Sequence, residues 1–128
     1  MILTGIDMVE IPRIQKSISN SRFMNRIFGP LEKGELETSG RIAQRAASGF
    51  AAKEAFGKAL GTGMCGFLFN EVEVLHDMKG APYFHLSGKA GEIVKTNKLS
   101  ISLSITHTAH YAVAVVVIST ENERLCFD

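Results

Sequence analysis

Residues 50–63 read FAAKEAFGKALGTG and lie at the end of the longest helical pattern in the chain, which runs from Arg41 to Leu60. Alanine is the strongest helix former, and Phe50 and Phe56 supply bulky side chains for a core. The turn Gly61-Thr62-Gly63 ends the pattern, because a glycine just past a helix can adopt the left-handed capping conformation. The stretch therefore predicts a long core helix with a sharp C-terminal stop.

The segment before this helix predicts one strand and several short helices. Ile2 to Glu10 is predicted to be a buried strand, with Ile2, Ile6 and Met8 on one side and Leu3, Asp7 and Val9 on the other. Short helices are predicted to follow from Pro12, from Arg22 to Phe28 and, with a turn, from Glu32 to Gly40. Asp7 is therefore a carboxylate on an otherwise apolar face.

The segment after the helix predicts strands. A hairpin is predicted from Val72 to His76 and from Tyr83 to Leu86, and a short helix capped by Ser87 from Ser87 to Asn97. From Leu99 to Thr106 apolar residues alternate with serine and threonine, which predicts a strand with one polar face. Tyr111 to Ile118 predicts a further, more buried strand. The order of strand, helices and strands indicates the α+β class.

Length and composition restrict the possible functions. The 128 residues fit a single domain, residues 1–128, too small to enclose a large cleft easily, so oligomerisation is one way to deepen a site. A net charge of +1 gives no overall basic field for nucleic acid. No apolar run is long enough for a membrane-spanning helix, and no signal peptide is evident. Two cysteines without a CxxC motif favour a reduced, cytosolic compartment.

Asp7 and Glu54 are the first candidates for chemistry. A buried carboxylate is costly and needs a partner or a metal ion. Glu54 and Lys58 are four residues apart on one helix face, which fits a weak ion pair of the helix surface. The alternative is a site in which carboxylates hold Mg²⁺ and the lysine contacts a phosphate. The spacing alone favours the simple ion pair.

Three other features each allow two interpretations. The Gly61 to Gly63 turn could offer backbone N–H groups to a phosphate, although a helix cap is favoured. His107 ends the polar-faced strand and could bind an anion, or be a surface histidine; the residue types favour neither. A basic cluster could dock an acidic partner, although a solvated helix face is favoured. Its members are Arg13, Lys16, Arg22 and Arg26.

Three segments together resemble the holo-acyl-carrier-protein synthase family, in order and from Gly5 to about Val117. They are Gly5-Ile6-Asp7 with Val9-Glu10-Ile11 and Arg13-Ile14, the stretch at residues 50–63, and Ser104-Ile105-Thr106-His107. Gly80-Ala81-Pro82 matches the G-x-P turn of the family. The resemblance implies a 4′-phosphopantetheinyl transferase fold and transfer of 4′-phosphopantetheine from coenzyme A to a serine of an acyl carrier protein, with release of 3′,5′-ADP.

The resemblance also implies a role for each matching residue. Asp7 and Glu54 match the magnesium ligands of the family. Lys58 and the Gly61-Thr62-Gly63 turn match contacts to the phosphates of coenzyme A. Thr106 and His107 match a strand end that lines the coenzyme A pocket, which in the family lies between two subunits of a homotrimer. A face formed by Arg13, Arg22, Phe23 and Arg26 matches the surface that binds the acidic carrier protein.

Two departures from the family pattern stand out. Many members have an arginine directly before F-A-x-K-E-A that helps to hold the nucleotide end of coenzyme A, and this chain has Gly49 there. Arg45 or Arg41 could take its place. The stretch Phe28 to Leu31 departs from the common L-T-x-x-E, although Glu32 can stand for its glutamate.

Two other functions compete with this interpretation. A module that binds coenzyme A without catalysis would share the pocket, but it would not need both Asp7 and Glu54. An acyltransferase acting at the thiol end of coenzyme A would need no metal, so sensitivity to a chelator separates it from the transferase. In the implied reaction the serine proton passes to a metal-bound water molecule or to Glu54, and the sequence fits both acceptors.

Overall fold

The computed structural model describes residues 1–127 and has an α+β architecture around one long helix. The elements in chain order are β1 (Ile2–Glu10), α1 (Ile11–Ser17), α2 (Ser21–Ile27), α3 (Pro30–Thr38), α4 (Ile42–Leu60), a 3-10 turn (Phe69–Glu71), β2 (Val72–His76), β3 (Pro82–Leu86), α5 (Gly88–Thr96), β4 (Ser100–His107) and β5 (Tyr111–Ser119). Each predicted helix and strand is present, and the predicted class is confirmed.

The sheets place α4 at the centre of the fold. β1, β5 and β4 form an antiparallel sheet with β5 in the middle, and β2 pairs with β3 as the predicted hairpin. Gly5 of β1 lies so close to α4 that a Cβ atom there would stand 2.7 Å from the backbone nitrogen of Ala59 and closer still to the carbonyl oxygen of Ala55. Glycine on the strand and alanine on the helix make this approach possible.

The core lies between α4 and the inner face of this sheet, and it extends to the hairpin. The alanines of α4 that face inward are almost completely buried; they are Ala46, Ala47, Ala51, Ala52, Ala55 and Ala59. Phe56 packs against Phe67 and Phe84, with both pairs of ring centroids 5.4 Å apart. The tight alanine face and the phenylalanines fix the position of α4, and with it the positions of Glu54 and Lys58.

The prediction that β1 is buried is wrong for one of its two faces. Ile2, Ile6 and Met8 lie on the outer face of the sheet and are 74%, 61% and 63% exposed. Tyr111 and Val117 of β5 are exposed on the same face, so β5 is also less buried than predicted. The reason is that α4 covers only the inner face, and nothing within residues 1–127 forms a layer on the outer one.

Two local details complete the fold. Ser87 is the N-cap residue of α5 as predicted, but its side chain makes no capping hydrogen bond; the Glu71 carboxylate accepts from the Lys89 N–H at 3.1 Å instead. Among residues 1–127 no helix combines the length and the apolar character needed to cross a bilayer. Cys65 and Cys126 are both free thiols.

Candidate active site

Asp7 lies on the inner face of β1, where the strand crosses α4. The contact between Gly5 and the α4 backbone brings this strand against the turns of the helix that carry Glu54 and Lys58. Lys58 donates to Asp7 Oδ1 at 3.0 Å and to the carbonyl oxygen of Ile6 at 3.1 Å. The structure therefore brings the strand carboxylate and the helix lysine into direct contact, across 51 residues of sequence.

The ion pair of Lys58 is with Asp7 and not with Glu54, which differs from the simple pairing that the helix spacing favours. The Lys58 side chain is 53% exposed, and that of Asp7 is 17% exposed. Strand β1 explains the difference, because it presents a second carboxylate to the lysine from outside the helix. Sequence spacing within one helix contains no information about such a partner.

Glu54 is the second carboxylate of this site, and its charge is disfavoured. Partial burial raises the pKa of the Glu54 carboxyl above its usual value, and the nearby Asp7 carboxylate raises it further, while Lys58 acts in the opposite direction. The Asp7 and Glu54 carboxylates thus interact across the helix–strand contact, and the charge of Lys58 acts on both. An additional cation would relieve their mutual repulsion.

The donor set restricts which metal this site can hold. Among residues 1–127 no group of three or more His, Cys, Asp or Glu side chains is arranged around one metal position. A closed structural site, as for zinc, needs about four protein ligands. Mg²⁺ is commonly held by one or two carboxylates, with water and substrate phosphates completing its shell. Asp7 and Glu54 therefore fit Mg²⁺ that is shared with a phosphate-bearing substrate.

The Gly61 to Gly63 turn follows α4 directly and is mainly a helix cap. Gly61 has a φ of +81° and donates its N–H to the Lys58 carbonyl, and Gly63 donates to the Gly57 carbonyl at 3.0 Å. A Cβ atom on Gly57 would stand 2.5 Å from the Gly63 carbonyl oxygen, so glycine at 57 lets the turn fold back onto the helix. These two N–H groups are bonded within the chain, as the cap interpretation expects.

Thr106 and His107 lie at the end of β4, near the opposite end of α4. His107 is exposed and lines an open cleft of about 440 Å³ with Ile11, residues 40–44, Thr108 and Ala109. Glu54 is twelve residues along α4 from its start at Ile42, a helical rise of about 18 Å. Within one chain the structure therefore does not bring His107 and Glu54 into the same site.

The two arginines considered as substitutes at Gly49 occupy different surroundings. Arg45 contacts His76, with Nη1 and Nδ1 2.9 Å apart, in a small pocket that Gly49 and Glu35 also line. Arg41 lines the open cleft beside His107. Arg41 is thus the arginine available at that cleft, whereas Arg45 is already engaged inside the fold.

The predicted carrier face separates into charged and aromatic parts. Arg13 on α1 and Arg22 and Arg26 on α2 are exposed. Phe23 is half-buried and packs inward, with ring centroids 6.2 Å from Phe50 and 6.3 Å from Phe28. The arginines are free to contact a partner, while Phe23 belongs largely to an aromatic cluster of this chain.

A buried ion pair escaped the sequence analysis. Lys53 is fully buried, and its ammonium donates to Glu32 Oε1 at 2.7 Å and to the carbonyl oxygens of Phe69 and Val72. Glu32 Oε2 accepts from the Val74 N–H at 2.9 Å. Burial raises the pKa of Glu32 and lowers that of Lys53, and each partner opposes the shift of the other. A signal was available, because Lys53 shares a helix face with the apolar positions Ala46, Gly49, Phe56 and Leu60.

Known proteins resemble the chain in both sequence and fold. The profile of the 4′-phosphopantetheinyl transferase superfamily matches residues 4–116. A holo-acyl-carrier-protein synthase of Thermoanaerobacter sp. strain X514 is 39% identical over 118 residues, which cover 91% of this chain and 86% of that protein.

Two crystal structures extend this likeness to the fold. The holo-acyl-carrier-protein synthase of Neisseria meningitidis superposes with a TM-score of 0.86 at 32% identity, over 94% of this chain and all of that one. The Bacillus anthracis enzyme, in complex with CoA (3′,5′-ADP), superposes with a TM-score of 0.77 at 34% identity, over 93% of this chain and 96% of that one. The chain belongs to the 4′-phosphopantetheinyl transferase superfamily.

Proposed function

We propose that the chain is a holo-acyl-carrier-protein synthase, which transfers 4′-phosphopantetheine from coenzyme A to a serine of apo acyl carrier protein and releases 3′,5′-ADP. Residues 1–128 form its single transferase domain, and the reaction serves fatty acid biosynthesis in the cytoplasm. The observation that carries the proposal is the meeting of Asp7, Glu54 and Lys58 at the contact between β1 and α4. A cluster of two carboxylates and one lysine suits a reaction at a pyrophosphate.

Asp7 and Glu54 are the residues that would hold Mg²⁺. Both carboxylates lie at the same helix–strand contact, and a bound cation would relieve the repulsion between them. When bound, Mg²⁺ supplies a Lewis acid that stabilises the charge developing on the phosphoryl oxygens and on the leaving group. Coenzyme A is the substrate that brings the phosphates.

Lys58 supports the transfer from the protein side. Its exposed ammonium is positioned to compensate the negative charge of the pyrophosphate. The carrier serine oxygen forms a bond to the phosphorus that bears pantetheine, and the bond from that phosphorus to the oxygen of 3′,5′-ADP breaks. The serine proton passes to Glu54 or to water.

The remaining contacts to coenzyme A come from two places on the chain. Lys58 and the Gly61-Thr62-Gly63 turn lie at the C-terminal end of α4. His107 lies in the cleft near the N-terminal end of α4, and Thr106 directly precedes it on β4. Arg41, in that cleft, supplies the positive charge for the nucleotide end that Gly49 cannot supply. The C-terminal end of α4 in one chain and the His107 cleft of a neighbouring chain together form one pocket.

A homotrimer provides this arrangement, with three sites at its interfaces. The outer face of β1 and β5 supports it, since Ile2, Ile6 and Met8 are large apolar side chains that the single chain leaves exposed. Burying such a contiguous face is the usual reason for stable self-association. The separation of His107 from Glu54 along α4 supports it as well.

The carrier protein docks on the arginines of α1 and α2. Arg13, Arg22 and Arg26 are exposed and can pair with carboxylates of an acidic partner. Phe23, which is half-buried and packs on Phe50, contributes through the part of the residue that stays exposed.

The mass of a carrier protein tests this function. An apo acyl carrier protein is incubated with the chain, coenzyme A and Mg²⁺, and its intact mass is compared with that of a sample containing EDTA. We expect a gain of one phosphopantetheine group on the serine, and no gain with EDTA. An unchanged mass in the presence of Mg²⁺ contradicts the proposed function. When an acyl-coenzyme A replaces coenzyme A, a gain of the acyl group alone, unaffected by EDTA, favours the thiol-end acyltransferase.

A further inference from the structure

Lys58 and the proposed metal both need Asp7. We propose that Lys58 holds Asp7 in the resting site and releases it when the pyrophosphate of coenzyme A arrives, so that Lys58 makes metal binding depend on coenzyme A. This inference rests on the proposed function, because it assigns Asp7 and Glu54 to the metal. It adds an order of binding, in which coenzyme A displaces Lys58 before the metal binds tightly.

The contacts of Lys58 show why it competes. Its ammonium donates to Asp7 Oδ1 at 3.0 Å and to the Ile6 carbonyl oxygen at 3.1 Å, so it takes the place of a cation beside the Asp7 carboxylate. A divalent ion on Asp7 and Glu54 would lie within a few ångströms of this ammonium. Like charges at such a distance repel strongly where water is partly excluded, as it is at Asp7.

The surroundings of Lys58 also allow it to leave. Its side chain is 53% exposed, so the ammonium regains water when it moves away from Asp7. Lys53 differs, because its side chain is 0% exposed. If the Lys53 ammonium left its acceptors, no water would take their place. Lys58 lies in the last turn of α4, where its long flexible side chain can follow a phosphate.

A coupling between two ligands follows. Without coenzyme A the Lys58 ammonium is paired with the Asp7 carboxylate, and a divalent cation binds weakly. With coenzyme A the phosphates attract Lys58, the Asp7 carboxylate is left without its ammonium, and the cation binds more tightly. Because coupling is reciprocal, the cation also increases the affinity for coenzyme A by the same factor. Lys58 thus keeps the site from holding a metal in the absence of its substrate.

The test measures Mn²⁺ affinity from the electron paramagnetic resonance signal of the free ion, with and without coenzyme A. The chains are the unchanged protein, Lys58→Met, Lys58→Arg and Lys95→Met. Lys95 is the matched control, since it is an exposed lysine in the last turn of another helix, α5. Mn²⁺ binding to coenzyme A alone is measured separately and subtracted.

We expect Lys58→Met to bind Mn²⁺ about tenfold more tightly than the unchanged protein when coenzyme A is absent, because one nearby positive charge is gone. Coenzyme A should then tighten Mn²⁺ binding less in Lys58→Met than in the unchanged protein. Lys58→Arg and Lys95→Met should behave as the unchanged protein does. If Lys58→Met does not fold, as judged by its thermal transition, Lys58→Gln replaces it.

Equal Mn²⁺ affinity in Lys58→Met and the unchanged protein overturns the inference, and so does an equal effect of coenzyme A on both. Either result leaves the proposed function intact if the carrier protein is still modified. The proposed function itself fails in a different way: Asp7→Ala then leaves Mn²⁺ binding unchanged, and the unchanged protein does not alter the mass of the carrier.

Discussion

Two lysines of α4 each pair with a carboxylate from another element, yet the two pairs lie in opposite environments. Lys53 and Glu32 are 2.7 Å apart, and their side chains are 0% and 3% exposed. Lys58 and Asp7 are 3.0 Å apart, and their side chains are 53% and 17% exposed. The same chemical pair thus occurs twice on one helix, five residues apart, once inside the core and once at its surface.

The surroundings of each pair decide what it does. The Lys53 ammonium has three acceptors, and the Glu32 carboxylate accepts backbone N–H groups from Gly29 and Val74, so the inner pair fastens α4 to α3 and β2. The Lys58 ammonium has two acceptors and open solvent beside it. The inner pair therefore stabilises the fold, and the outer pair is exposed enough to exchange its partners, as the proposed contacts with a metal and a phosphate require.

The largest expected effect is on the inner pair. Lys53→Met leaves the Glu32 carboxylate buried without its ammonium, so it should lower the free energy of unfolding by about 3–5 kcal/mol. Urea denaturation measures this loss, and Lys58→Met is the matched control because an exposed pair contributes about 0–1 kcal/mol. The double variant Lys53→Met/Glu32→Gln should lose less than the sum of its single changes. Equal stability of Lys53→Met and Lys58→Met would contradict the claim that only the inner pair stabilises the fold.

The next effect is on turnover at the outer pair. Asp7→Ala removes a carboxylate that the proposed metal needs, and loss of one such stabilising group costs about 3–4 kcal/mol in the transition state, a fall in kcat of about 10²–10³-fold. Steady-state transfer to the carrier protein measures it. Asp77→Ala, a change at an exposed aspartate in the β2–β3 turn, serves as the control for carboxylate loss elsewhere. Full activity of a folded Asp7→Ala chain argues against the site.

A smaller effect is expected at the carrier face. Reversing the charge of Arg13, Arg22 and Arg26 together should raise KM for the carrier about tenfold or more, and KM for coenzyme A much less, because in the proposed function only the carrier contacts this face. The difference should shrink as salt is added, since screening weakens long-range attraction. An unchanged carrier KM in the triple variant would show that this face does not dock the partner.

The smallest effect is the activity that two inactive chains recover together. Glu54→Ala and His107→Ala chains are refolded as a mixture; in a trimer with sites between chains, about a quarter of the interfaces pair an intact Glu54 with an intact His107. Sedimentation measures whether trimers form, and native mass spectrometry shows whether single trimers contain both variants. Absence of recovered activity in mixed trimers would mean that each site lies within one chain, and a fully active monomer would contradict the trimer.

Patterns along the chain predicted the elements well, because they depend on local spacing. The alternation from Leu99 to Thr106 and the alanine-rich run ended by Gly61 each specify one element with little dependence on the rest of the molecule. Burial of whole faces was less predictable. Ile2, Ile6 and Met8 are apolar in sequence and exposed in the single chain, since nothing in a strand pattern says whether a second layer covers it.

Partners of charged groups could not be predicted from spacing. The partner of Lys58 is Asp7, 51 residues away, and the partner of Lys53 is Glu32, 21 residues away. Both pairings depend on how β1 and α3 pack on α4, which the helix sequence does not contain. The resemblance to a known family supplied Asp7 and Glu54 as site residues, but not the hydrogen bond of Lys58 to Asp7.

The most direct measurement compares Glu54→Ala with Lys53→Met, neighbours on one helix, for both stability and transfer. Each chain is purified, its free energy of unfolding is measured with urea, and phosphopantetheine transfer is followed by the mass of the carrier protein. We predict that Glu54→Ala keeps its stability within about 1 kcal/mol and loses transfer by about 10²–10³-fold. Lys53→Met should lose stability, and any folded fraction should retain turnover. A folded Glu54→Ala chain with near-normal transfer would contradict the assignment of this site.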